Sequence, residues 1–64
     1  MDEHGAQLSS VATALGDLTQ RVTAAAETYR GTAQEDVATD LDEVERALRA
    51  ASRRLDGVVR RLTD

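Results

Sequence analysis

The chain has 64 residues, a formal net charge of −4 at pH 7, and no cysteine, proline, tryptophan or phenylalanine. A chain of this length forms at most one small domain, and without cysteine it has neither a disulfide scaffold nor a thiolate metal site. The acidic balance argues against nucleic-acid binding, and the longest apolar run, residues 24–26, is far too short for a membrane span.

The first predicted element is an amphipathic helix over about residues 5–29. Its apolar side chains recur at intervals of three and four residues, the spacing of one helix face. In heptad notation they alternate between positions a and d, as along a coiled-coil seam, beginning with Leu8 at a. The series is Leu8, Val11, Leu15, Leu18, Val22, Ala25 and Tyr29. Residues 1–4 precede it, and we expect them to form a frayed tail.

A tight turn is predicted where the first series ends. Tyr29 is its last apolar residue, and Gly31 suits the left-handed residue that closes many helices, because it has no Cβ. Thr32 and Glu35 have the spacing of a capping box. In that motif the threonine hydroxyl binds an amide of the next turn, while Glu35 reaches back to the amide of Thr32.

The second predicted element is a helix over about residues 33–62. Its apolar series keeps the same heptad spacing and comprises Val37, Leu41, Val44, Leu48, Ala51, Leu55, Val58 and Leu62, beginning at d. A short connection forces the two helices to run antiparallel and side by side. The sequence therefore predicts an all-α fold, an antiparallel two-helix hairpin that occupies residues 1–64 as a single unit.

Such a hairpin has one apolar seam, and the estimated free energy of folding of a scaffold this small is usually near zero. Four apolar residues at heptad position e (Ala12, Ala26, Ala38 and Val59) widen the seam, as in helices of a bundle. We therefore expect dimerisation into a four-helix bundle. The predicted partner interface is Ala12, Ala26, Val37, Leu41, Val44, Leu48, Leu55, Val58 and Val59.

Charge along the second helix is strongly polarised. Residues 35–45 carry six acids and no base, whereas residues 46–64 carry six arginines and two acids. One interpretation is that these charges match the helix dipole and pair within the helix, at Asp42–Arg46, Glu45–Arg49 and Asp56–Arg60. The other is that they steer an antiparallel dimer or a partner helix.

No catalytic, cofactor or metal site is predicted. His4 is the single histidine and lies in the expected tail, beside too few ligands for a metal. The acidic run over 40–45 lacks the spacing and glycine of a calcium loop, and no serine has a histidine base within reach. We expect a non-enzymatic protein.

The turn Tyr29-Arg30-Gly31, followed by the amphipathic stripe of the second helix, resembles the WxG-type helical hairpins. These are small substrates of type VII secretion in actinobacteria and related Gram-positive bacteria. The resemblance implies a dimer with itself or with a paralogous hairpin, and contact with type VII secretion components. Tyr29 stands where the family has tryptophan, the first helix is short, and Arg60 replaces the tyrosine of the C-terminal Tyr-x-x-x-Asp/Glu signal that would end at Asp64.

Two locations and two functions follow from these features. The protein either leaves the cell without a cleaved signal peptide, carried by a partner that has the export signal, or stays in the cytoplasm. The alternative function is a cytoplasmic regulatory or scaffold hairpin that docks one helix into the groove of a partner protein.

Overall fold

The computed structural model describes residues 3–63 and consists of two helices, α1 (Glu3–Tyr29) and α2 (Glu35–Thr63). They pack against each other along their length and are joined by residues 30–34. This confirms the predicted all-α helical hairpin. The helix α1 begins two residues earlier than predicted, so Glu3 and His4 are helical, and α2 begins two residues later. The rest of the predicted tail, residues 1–2, lies outside the described residues.

Hydroxyl side chains in α1 are accommodated by hydrogen bonds to the helix itself. The Thr13 Oγ1 donates to the carbonyl of Ser9 at 3.3 Å, and the Thr23 Oγ1 donates to that of Thr19 at 3.0 Å. Thr19 is buried, and its hydroxyl donates to the carbonyl of Leu15 at 2.7 Å. Bonds of this kind satisfy polar atoms that would otherwise oppose burial of a helix face.

The two helices meet along what we call the inner seam, which combines heptad positions a and e. Leu62, at position a near the end of α2, is 37% exposed and lies outside this seam, whereas the other described residues at these positions are all buried or half-buried. In α1 they are Gly5, Leu8, Ala12, Leu15, Thr19, Val22, Ala26 and Tyr29. In α2 they are Ala38, Leu41, Glu45, Leu48, Ser52, Leu55 and Val59. The predicted a/d seam is therefore wrong in one respect, because the hairpin packs through e where d was expected.

Side-chain size explains this rotation of the seam. Small residues dominate position e, and the two most deeply buried apolar residues, Ala26 at 1% exposed and Ala38 at 0%, both occupy it. Such residues let two helix backbones approach closely, while the larger side chains at position a cover the contact from the side. The two helices therefore pack closely along position e, and the residues at position d lie outside the contact between them.

The hairpin is long and thin. Its Cα atoms extend over 49 × 14 × 11 Å, and their radius of gyration is 14.8 Å. A compact chain of this length would have a radius of gyration of about 11 Å. The molecule therefore exposes two long lateral faces, one on each side of the inner seam.

Candidate interaction surface

An ion pair between the helices identifies which residues share a lateral face. Arg30 and Asp42 both occupy heptad position b and pair in two hydrogen bonds of 3.1 and 2.9 Å. Position b lies on one side of the a/e seam and position d on the other, by the 100° rotation of each helical residue. The b residues of both helices thus share one face, here called the polar face, and the d residues share the opposite one.

The d residues form a strip that we call the outer apolar face. It comprises Val11, Leu18 and Ala25 from α1 with Val37, Val44, Ala51 and Val58 from α2. Three of the larger side chains are about half exposed, Val11 and Leu18 at 47% and Val44 at 45%. The strip runs over residues 11–25 of α1 and residues 37–58 of α2, and no charged residue interrupts it.

The predicted interface residues divide between these two surfaces. Six of them belong to the inner seam: Ala12, Ala26, Leu41, Leu48, Leu55 and Val59. Ala26 is wholly enclosed there, so a partner cannot reach it in this fold. The other three, Val37, Val44 and Val58, lie on the outer apolar face.

The interface prediction omitted the residues that α1 contributes to this face. Val11 and Leu18 belong to the d series, which the heptad spacing assigns to the contact between the two helices. The signal that could have found them is the small size of the e residues Ala12, Thr19 and Ala26. This property favours e over d at the helix–helix contact.

The turn holds the two helices through backbone and side-chain hydrogen bonds. Gly31 has φ = 75°, the left-handed conformation expected for it. The Thr32 Oγ1 accepts from the amide of Gln34 at 3.1 Å and donates to the carbonyl of Tyr29 at 2.6 Å. Glu35 accepts from the amide of Gly31 at 2.8 Å, so it reaches one residue further back than the predicted Thr32 amide.

Charge pairing on the polar side is extensive around Arg30. This guanidinium contacts Glu27 at 3.1 Å and Asp42 at 2.9 Å, and both carboxylates raise its pKa. The hydrogen bond from Arg30 in turn lowers the pKa of Asp42. Because Arg30 follows α1 and Asp42 lies in α2, the pair fastens the helices together beside the turn.

One of the three predicted pairs within α2 is confirmed, Glu45–Arg49 at 2.8 Å. Arg46 pairs with Glu43 at 2.9 Å, whereas Asp42, its predicted partner, pairs with Arg30. Within residues 3–63, Asp56 and Arg60 form no ion pair.

A shallow groove of about 360 Å³ lies between the helices on the polar face. It is lined by Gly16, Thr19, Gln20, Arg49, Ser52 and Arg53. The Ser52 Oγ is buried and has no hydrogen-bond partner in the structure. The groove shows that residues 16–20 of α1 lie opposite residues 49–53 of α2.

Comparison with models of protein families, with curated proteins and with solved structures finds no match to this chain. Neither helix, over the described residues, is long and apolar enough to cross a bilayer. In that same part of the chain, no three histidine, aspartate or glutamate side chains stand where they could hold a metal ion. The outer apolar face is the most distinctive surface of the hairpin.

Proposed function

We propose that the protein is a non-enzymatic interaction module that presents its outer apolar face to another helical hairpin, together forming a four-helix bundle. The observation that carries this proposal is the half-exposure of Val11, Leu18 and Val44 along one face. Covering a valine or leucine side chain fully is worth about 1.5–3 kcal/mol. A face of this kind on a small protein marks a binding surface.

The width of the face supports a partner with two helices. Residues of α1 and α2 contribute to the same surface, so the apolar strip lies over the groove between them. A single partner helix lying over that groove would leave the outer edges of the strip uncovered, whereas a second hairpin would cover the strip on both helices. This favours bundle formation over the docking of one helix in a groove.

The Tyr29-Arg30-Gly31 turn supports a relationship to the WxG-type hairpins. Gly31 makes the turn in its left-handed conformation, and Tyr29 is half-buried where α1 ends. A role in type VII secretion is proposed on this resemblance. In that role the chain would leave the cytoplasm bound to a partner that carries the export signal.

The proposal can be tested by photocrosslinking in cells that produce the full chain. A photoreactive amino acid replaces Leu18 on the outer apolar face. In a matched variant it replaces Gln20, which is exposed on the same helix and lies beside the polar groove. We expect a discrete crosslinked product from position 18 and none from position 20, both in the lysate and in any exported fraction.

The product from position 18 is then identified by mass spectrometry. A second copy of the chain or another helical hairpin in that product supports the proposal. Absence of a product from position 18, or equal yields from the two positions, contradicts it.

A further inference from the structure

We infer that the partner at the outer apolar face is a second copy of this chain, with the two α2 helices antiparallel. This inference rests on the proposed function and names its partner. It is drawn from the charges that border the face and from the area that the hairpin leaves uncovered.

The border of the face on α2 is formed by heptad position g. This position holds Asp40, Ala47, Arg54 and Arg61. Asp40, Arg54 and Arg61 make no ion pair among residues 3–63. The arginines that do pair in this part of the chain, Arg30, Arg46 and Arg49, lie elsewhere on the helices. Within these described residues, three charges without an ion pair thus border the outer apolar face on α2.

An antiparallel arrangement of two α2 helices satisfies these charges. Asp40 and Arg54 each lie seven residues from Ala47, so a twofold axis near Ala47 sets each Asp40 opposite Arg54 of the second copy. The same axis sets Val44 opposite Ala51 of the second copy, and Val37 opposite Val58 of the second copy. A parallel arrangement would instead place Asp40 against Asp40 and Arg54 against Arg54, which is unfavourable.

Packing α2 against α1 of the second copy would leave the charges unpaired. The g border of α1 holds Gln7, Ala14, Arg21 and Thr28, with no acid to meet Arg54 or Arg61. Antiparallel α2 helices bring the two copies of Arg21 near the axis, since residues 16–20 of α1 lie opposite residues 49–53 of α2. Two acid–base pairs oppose this single like-charge contact.

The uncovered area is sufficient for a stable dimer. The accessible surface of the hairpin is 4664 Å², whereas a compact monomer of this mass exposes about 4,000 Å². The whole side of the hairpin that carries this face, 49 Å long and two helices wide, offers roughly 1,000 Å². A standard interface buries about 800 Å² on each partner.

Single-cysteine crosslinking tests the antiparallel geometry, and the chain has no cysteine of its own. Purified Ala47→Cys is treated with a short bis-maleimide and compared with Ala50→Cys, since both alanines are exposed on the same helix. We expect covalent dimers from Ala47→Cys and at least about tenfold less from Ala50→Cys. Equal yields from the two variants would overturn the arrangement.

Exchanging the bordering charges tests the same pairs by affinity. Sedimentation equilibrium at low salt is expected to show about tenfold weaker dimerisation for Asp40→Arg or Arg54→Asp alone, since each loses two ion pairs. The double variant should return to within about threefold of the original chain. A double variant weaker than both single variants would overturn the antiparallel pairing.

The mass of the purified original chain separates this inference from the proposed function. A fully helical monomer at every concentration overturns the second copy as partner. If position 18 then still crosslinks in cells to a different helical hairpin, the proposed function stands without this inference.

Discussion

At the bend, the backbone amides of Gly31, Thr32, Gln34 and Glu35 all donate to neighbours within the turn. The amide of Thr32 donates to the carbonyl of Tyr29 at 3.2 Å, and that of Glu35 donates to the carbonyl of Thr32 at 3.2 Å. The capping box could be predicted from sequence because threonine and glutamate have a known spacing. The final partner of Glu35 could not, since the Thr32 amide is occupied by Tyr29 and the amide of Gly31 remains for the carboxylate.

At Gly31 we predict that Gly31→Val destabilises the hairpin by about 1–2 kcal/mol, because a β-branched residue is strained at φ = 75°. Chemical denaturation followed by circular dichroism measures the free energy of unfolding. Gly16→Ala is the control, since Gly16 lies within α1 and nothing stands within 4 Å of the added Cβ. We expect that control to be stabilised by about 0.5–1 kcal/mol. A Gly31→Val chain as stable as the original would contradict the prediction.

At Asp42 we predict a pH-dependent contribution to stability. Its pKa is lower in the folded chain than its usual value of 3.8, because Arg30 donates hydrogen bonds to the ionised carboxylate. The pair therefore stabilises the hairpin above that usual value, and its contribution disappears as the pH falls through the depressed pKa. Asp42→Asn should have a lower melting temperature than the original chain at neutral pH and the same melting temperature in strong acid.

Thermal melts across this pH range make the measurement. Asp17→Asn is the matched control, since Asp17 is exposed on α1 and takes part in no ion pair among the described residues. Its melting temperature should follow that of the original chain at each pH. A constant difference between Asp42→Asn and the original chain down to strong acid would be incompatible with the Arg30 pairing.

Each helix carries more apolar surface than one partner helix can cover. The heptad spacing was enough to predict two helices and their antiparallel order. It did not decide between positions d and e at the contact, because both lie within about 60° of a. That choice depends on how closely the backbones approach, as at Ala26 and Ala38, and this is a property of two helices together.

For the helices we predict that Leu48→Asp unfolds the hairpin. Leu48 belongs to the inner seam, and its loss removes apolar contacts worth at least about 2 kcal/mol while placing a carboxylate among them. Helical content by circular dichroism should fall sharply at every protein concentration. Ala50→Asp, at an exposed position of the same helix, should keep it. Equal helicity in the two variants would mean that the inner seam is misplaced.

As a whole, the molecule is a thin rod with two chemically different sides. Its polar face carries the Arg30–Asp42 pair and its opposite face carries valine, leucine and alanine. The prediction of a partner comes from length and composition, since a single seam in 64 residues is small. The surface that would meet the partner could not be predicted from the sequence. It depends on which apolar residues are buried in the contact between α1 and α2.

Tyr29 is the only aromatic residue in the chain, and it lies half-buried at the end of α1, beside the bend. Its emission is therefore the sole intrinsic fluorescence of the protein and originates at one end of the rod. Separation of the helix ends far from the bend leaves the surroundings of this fluorophore intact, whereas opening of the bend changes them. Fraying and hinge opening can thus be distinguished optically, with no label attached.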